Sequence, residues 1–403
     1  MDHDDTVGFT SDRAIAAGTG PMIDRSTGNA DRGPELPAER SKSLEILLSC
    51  AWPGQERTGA LSAAGGDVDW DYLLRLANRH KLVPVLSDAA RRRRIAEVPP
   101  PMRATLRRHA EGNAQRNALL AEELLRVLGL LAENQIRAFP MKGPAFAAAL
   151  HGSLALRQFS DLDLLVAPED AARARAVLEA AGFRDRNQRP TAFYRHFDLV
   201  SSDGLVQIDL QWALANKGSG VRLVLDELWQ RRQTSQMLNK PVPLFGWEDM
   251  LQLLSYYCGK EMPFVYLTYL SDIAALIEKQ PDLDWQEVLE QAQRRRILRV
   301  VLFALALADA LWPLSLPETV RGAIEADKAL PRLVDRAQRR MFVEVNGKIG
   351  RNPTFAEKAL LHPRLREHLI DGLRPLLFAP IFADGMQPVR TAGKRMLRLL
   401  RAS

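Results

Sequence analysis

The chain has 403 residues, 46% of them hydrophobic and 26% charged, with a formal net charge of +6. It is long enough to bury a sizeable core and to hold two domains, or one domain with large additions. Its two cysteines, Cys50 and Cys258, exclude a disulfide framework or a zinc site built from cysteine alone, and they suit a reducing compartment.

The N-terminal stretch MDHDDTVGFT is acidic and lacks the apolar segment of a secretory signal. The longest apolar run, 300–312, is interrupted by Asp309 and is too short to span a bilayer, so the expected location is the cytoplasm. Arginine carries most of the positive excess, in clusters at 91–94 and 294–296. Two readings fit them: an electrostatic site for a polyanion, or a solvated arginine-rich surface.

Residues 1–40, rich in Gly, Asp, Ser, Thr and Pro, read as a disordered tail. Helical periodicity follows at 43–52, 69–81 and 83–95, and then over 100–135 behind Pro99, Pro100 and Pro101. The period then changes. Residues 137–141 and 162–166 read as strands, with a short small-residue helix at 144–150 between them. A helix runs on to Ala181 and stops at Gly182. Segments 194–201 and 205–212 alternate as a hairpin across Ser202, Asp203 and Gly204. From Trp247 the chain is helical again, at 247–260, 264–279, 285–296, 298–312 and beyond. The last basic run, 394–401, is amphipathic and fits either a helix on its own domain or one lying on an anionic membrane. The expected class is therefore α+β, a small mixed sheet flanked by helical regions. The expected divisions are a tail at 1–40, a helical region at 41–135, an α/β core at 136–245 and a helical domain at 246–403.

The chemistry concentrates around 139–166. Asp161 and Asp163 stand one residue apart in an apolar run, so on a strand they share a face roughly 7 Å apart. Two carboxylates held that way can grip divalent cations, and paired metals about 3.5–4 Å apart serve displacement at phosphorus. In the strand L-V-Q-I-D-L-Q-W, Asp209 points away from Ile208 and Leu210, together with Gln207 and Gln211. It is the third acid such a site needs, either to share a metal or to orient the attacking hydroxyl as a base. A structural alternative pairs Asp209 with Arg195 or His196 on the facing strand. His151 reads as a satisfied histidine rather than a ligand.

The order Lys142-Gly143, a helix, Arg157, Asp161-Leu162-Asp163 and then Ile208-Asp209-Leu210-Gln211-Trp212 resembles the nucleotidyltransferase superfamily of DNA polymerase beta. It resembles more closely a bacterial family of uncharacterised nucleotidyltransferases. The likeness spans about 45–315 and includes Tyr269-Leu270-Ser271-Asp272-Ile273 and Leu283-Asp284-Trp285. The resemblance implies Asp161, Asp163 and Asp209 as catalytic metal ligands for two Mg²⁺ ions, with Mn²⁺ as the substitute. It implies a nucleoside triphosphate such as ATP as donor, and a hydroxyl on a small molecule, peptide or RNA as acceptor. Gly143 then lets the backbone approach the triphosphate at a helix start, and Lys142 or Arg157 neutralises phosphate charge. This chain departs from the pattern in two places: Pro144 stands where Ser or Gly usually follows the glycine, and Gln211 stands where His is common. Two rivals share these residues, a phosphoryl transferase on the same metal site and a non-catalytic binding protein on the same scaffold.

Overall fold

A computed structural model describes residues 38–52, 68–92, 95, 97–186, 195–214, 224–262, 264–342, 344–345 and 348–349. The expected tail lies outside these residues except for its last three, which open the first helix, and the basic run 394–401 lies outside them altogether.

Four helices lead: α1 (Ala38–Ala51), α2 (Trp70–Arg79), α3 (Val83–Arg91) and α4 (Pro100–Glu133). Asp69 caps α2 by accepting from the Tyr72 N–H, and Pro100 starts α4 where a missing N–H does no harm. Then come β1 (Ala138–Pro140), α5 (Pro144–His151), β2 (Leu162–Val166), α6 (Ala171–Ala180), β3 (Phe183–Asp185), β4 (His196–Ser201) and β5 (Gln207–Gln211). A short α7 (Leu225–Gln230) and the hairpin β6 (Gln233–Met237) and β7 (Lys240–Leu244) lead into α8 (Trp247–Glu261). Helices α9 (Leu267–Lys279), α10 (Trp285–Arg294), α11 (Leu298–Asp309), α12 (Glu318–Ala326) and α13 (Leu330–Phe342) follow.

The sheet order is β1-β2-β5-β4-β3, with β2 and β5 parallel and the other pairs antiparallel. This is the small mixed sheet expected from the alternation. Among the pieces with no sequence-level assignment are an edge strand and a hairpin. The edge strand β3 is only three residues long, too short to reveal a period. The β6–β7 hairpin turns at Leu238 and Asn239, both at positive φ (50° and 60°), as the tight turn of a two-residue hairpin requires.

Alternation divides the sheet cleanly. Leu162, Leu164, Ile208, Leu210, Phe197 and Leu199 are buried on one face, where α6 packs and the Arg175 guanidinium lies 5.0 Å from the Phe197 ring. The other face carries Asp163, Asp209, Gln211, Asp198 and His196. Helices α8, α9 and α11 pack on one another, α9 touches α5, and Tyr257 of α8 lies against Lys142, the partner of Asp163 on that polar face. No described helix is long and apolar enough to cross a membrane.

Candidate active site

Register decides which acids meet. Asp163 on β2 lies opposite Asp209 on the parallel strand β5, and Asp209 lies opposite Asp198 on β4. Partners in register share a face, so three carboxylates form a row across three strands. Asp161 precedes β2 by one residue and is two residues from Asp163, close enough to disfavour charge on Asp163. Gln211, one step along β5, donates its amide to Asp163 Oδ1 (3.2 Å) and to Asp209 Oδ2 (2.7 Å).

Lys142 supplies the opposing charge. Its Nζ lies 3.0 Å from Asp163 Oδ2 and 5.8 Å from the centre of the Tyr257 ring. Burial opposes its charge, but Asp163 and Asp161 prevail and hold it above the ordinary lysine range. Asp163 does not gain as much from the pair. It is only 3% exposed, and burial, reinforced by Asp161 and Asp209, pushes it up to about 7 despite the lysine. Both partners of one ion pair are thus raised, because a single lysine faces several carboxylates. Burial and then Asp198 push Asp209 up to about 6, with Lys142 and Lys260 pulling the other way. Asp209 Oδ1 is shut off from solvent and makes no hydrogen bond.

The entry turn is built on a glycine. Gly143 has φ 75° and caps α5, and a Cβ there would sit 3.6 Å from the Asp161 carbonyl oxygen. Positive φ rather than crowding is what calls for glycine. Pro144 occupies the first helical position.

Arg157 is placed differently from a free phosphate ligand. It is 4% exposed and gives Asp272 a two-pronged ion pair, Nη2 to Oδ2 at 2.8 Å and Nε to Oδ2 at 2.9 Å. Burial disfavours both charges, yet each partner restores the other: Arg157 stays above its ordinary range and Asp272 below its own. His151 Nε2 lies 2.7 Å from Asp272 Oδ1. Asn113 donates to the Ala155 and Arg157 carbonyls, and Asn117 to those of Leu154 and Arg157. Helix α4 and Asp272 of α9 therefore clamp the segment 152–160 that delivers Asp161.

Tyr257 of α8 covers the acids from the helical side. It stacks on Tyr269 at 5.7 Å, and Tyr266 meets Tyr269 edge-on at 5.9 Å. The Tyr257 hydroxyl is buried without a hydrogen-bond partner; burial, then Asp163 and Tyr269, raise its pKa well above the ordinary tyrosine value. Its proton stays on.

The structure thus brings Asp163, Asp209 and Lys142 together with Asp161 beside them, sets Gly143 at the entrance, and commits Arg157 to Asp272. Sequence reading passed over Asp198 and treated His196 only as a partner for Asp209. The H-F-D alternation in β4 was the available signal. Nothing local marks Tyr257 or Asp272, because their relation to the sheet is purely tertiary.

A family described as uncharacterised nucleotidyltransferase matches residues 66–313. No curated protein matches the chain. Among solved structures the chain is similar to the antibiotic-resistance factor ANT(2″)-Ia in solution, at 17% identity and TM-score 0.27, covering 54% of this chain and 96% of that one. It is similar to a crystal of ANT(2″)-Ia with adenylyl-2″-tobramycin, at 16% identity and TM-score 0.27, covering 52% and 98%. It is similar to an antigenic nucleotidyltransferase-like protein from Paracoccidioides brasiliensis, at 17% identity and TM-score 0.30, covering 51% and 95%. TM-scores this low carry no inference about chemistry.

Proposed function

This chain belongs to the uncharacterised nucleotidyltransferase family, and on that premise we propose that it moves a nucleoside monophosphate from a nucleoside triphosphate to a hydroxyl acceptor. The observation that carries the reading is the register pairing of Asp163 with Asp209, beside Asp161, on one polar sheet face. The acceptor oxygen attacks the α-phosphorus and forms the new O–P bond. The bond from the α-phosphorus to the bridging oxygen breaks, and pyrophosphate leaves with the electron pair.

The donor set fits a hard divalent cation, since Asp161, Asp163 and Asp209 offer only carboxylate oxygens and Asp209 Oδ1 is buried with no partner. Mg²⁺ held there would supply positive charge against the triphosphate and the attacking oxygen. The chain's own groups do the rest. Asp209, opposite Asp163 on the same face, orients the attacking hydroxyl and accepts its proton. Gly143 lets the backbone at the α5 N-terminus approach the phosphates. Lys142, its ammonium beside Asp163, would neutralise charge on a phosphate oxygen. The Tyr257 hydroxyl, protonated and unpartnered, donates to an oxygen of the bound nucleotide or acceptor. Arg157 and Asp272 position the segment before Asp161 without touching substrate.

The test uses the purified protein with Mg²⁺ and each nucleoside triphosphate labelled at the α- or the γ-phosphorus. Hydroxyl-bearing small molecules, peptides and RNA are offered as acceptors. The expected product retains the α-label with release of pyrophosphate, and Asp163→Asn abolishes it. Retention of the γ-label alone would make the protein a phosphoryl transferase. Equal background from wild type and Asp163→Asn with every acceptor class would overturn catalysis.

A further inference from the structure

Helix α8 brings a second cation to the acids. Tyr257 marks the face of α8 that meets the site, since its ring centre lies 5.8 Å from the Lys142 ammonium. Gly259 marks the opposite face: a Cβ there would lie 2.6 Å from Val300 Cγ1, so at this point α8 is pressed onto α11. At about 100° per residue, Gly259 stands about 160° from Tyr257 around the helix, and Lys260 only about 60°. Lys260 therefore leaves α8 on the side of the site, one turn beyond Tyr257. It is exposed, and among the described residues no carboxylate pairs with it. Burial and then Asp198 raise the Asp209 pKa, and Lys260 is one of the two lysines that pull it back. The charges that act most on Asp163 are instead Lys142, Asp161 and Asp209. Lys142 is thus engaged by Asp163 on the β2 side, while Lys260 stands toward Asp209 with its ammonium open to a ligand.

We propose that Lys260 selects an acceptor carrying an anionic group, phosphate or carboxylate, beside the hydroxyl that Asp209 orients. The inference rests on the nucleotidyl-transfer reading, in which Asp209 takes the acceptor's proton and Lys142 serves the triphosphate. An ammonium on a flexible stem binds an anionic oxygen as a point charge, so it accepts either group without the fixed fork that arginine would impose. The same charge repels a cationic acceptor, so one residue both favours the right substrate and disfavours the wrong one. Lys260 is a specificity residue in this account: it touches the acceptor away from the reacting oxygen and takes no part in bond making.

The probes are hexoses that differ in charge on one scaffold: glucose 6-phosphate, glucuronate, glucose and glucosamine. Each is titrated calorimetrically into the full-length protein saturated with Mg²⁺ and a non-hydrolysable nucleoside triphosphate. The triphosphate position is then filled, and binding is read without turnover. Glucose 6-phosphate or glucuronate should bind at least roughly tenfold more tightly than glucose, with glucosamine weakest. Whichever anion leads identifies the group. Lys260→Gln should erase that order, Lys260→Glu should reverse it and Lys260→Arg should keep it, while triphosphate affinity stays unchanged in all three. Weakened triphosphate binding in Lys260→Gln would give the lysine to the donor and overturn the proposal. Failure of both anionic hexoses to outbind glucose would overturn it too, even where the α-label is transferred to another acceptor. Loss of the transfer reading alone has a different signature: no α-label moves, yet the charge order persists in wild type and vanishes in Lys260→Gln.

Discussion

Tyr257→Phe separates a binding hydroxyl from a structural one, because the two roles predict opposite changes in stability. The Tyr257 hydroxyl is buried and has no hydrogen-bond partner. Holding such a group out of water costs about 1–3 kcal/mol, and deleting the oxygen removes that cost while keeping the ring stacked on Tyr269. The metal-free, ligand-free variant should therefore be more stable by roughly 1–2 kcal/mol, raising the melting temperature by a few degrees. Nucleotide binding should move the other way. If the hydroxyl donates to a charged phosphate oxygen, its loss weakens binding by about 1.5–3 kcal/mol, on the order of 10- to 150-fold in Kd. Calorimetric melts give the first number, and titration with a non-hydrolysable nucleoside triphosphate and Mg²⁺ gives the second. A variant that melts lower than wild type and binds nucleotide equally well would refute the argument, since the hydroxyl would then be satisfied inside the fold.

Three further outcomes follow from the charged groups. Lys142→Met removes a cation 3.0 Å from Asp163, so Mg²⁺ should bind more tightly while nucleoside triphosphate binding weakens by roughly 1.5–3 kcal/mol; titrations in which both affinities fall together would place Lys142 in the metal site rather than against it. Asp272→Asn strands the Arg157 guanidinium without its counter-charge and should cost about 3–5 kcal/mol in denaturant unfolding, with a loss below about 1 kcal/mol counting against the clamp. His80 accepts from the Leu267 N–H at Nδ1 and faces the Met341 carbonyl with Nε2, which suits the neutral ring; burial, against the pull of that carbonyl, lowers its pKa from 6.5 to about 3. Between those pH values the unfolded chain binds a proton that the native chain refuses. His80 should therefore lower stability by about 1.4 kcal/mol per pH unit as the pH falls below 6.5. Asp163 and Asp209, whose pKa values are raised, act oppositely, losing stability as the pH rises, so the His80 effect is read as the difference between wild type and His80→Gln across pH 4–7.5. Identical slopes would dismiss it.

Local pattern carried much of this protein. Alternation along 162–166 and 207–211 was enough to place Leu162 and Leu164 on one face and Asp163 on the other, and likewise Ile208 and Leu210 against Asp209, because a strand's period of two leaves no choice once one face is apolar. Glycine before proline was enough to start α5, since Gly143 tolerates positive φ and Pro144 lacks only a donor that the helix start does not use. What the strands do to one another was beyond local pattern. The parallel pairing of β2 with β5 sets Asp163 opposite Asp209, and the antiparallel return of β4 adds Asp198 and His196 to the same row. The fate of each cation was also tertiary. Lys142 and Arg157 read alike as free positive charges near a phosphate site, yet one lies against Asp163 and the other is buried against Asp272, 115 residues away on α9. Burial by distant helices is what raises Asp163 to about 7 and leaves the Tyr257 hydroxyl facing the acids, because desolvation depends on everything packed around a group and not on its neighbours in the chain.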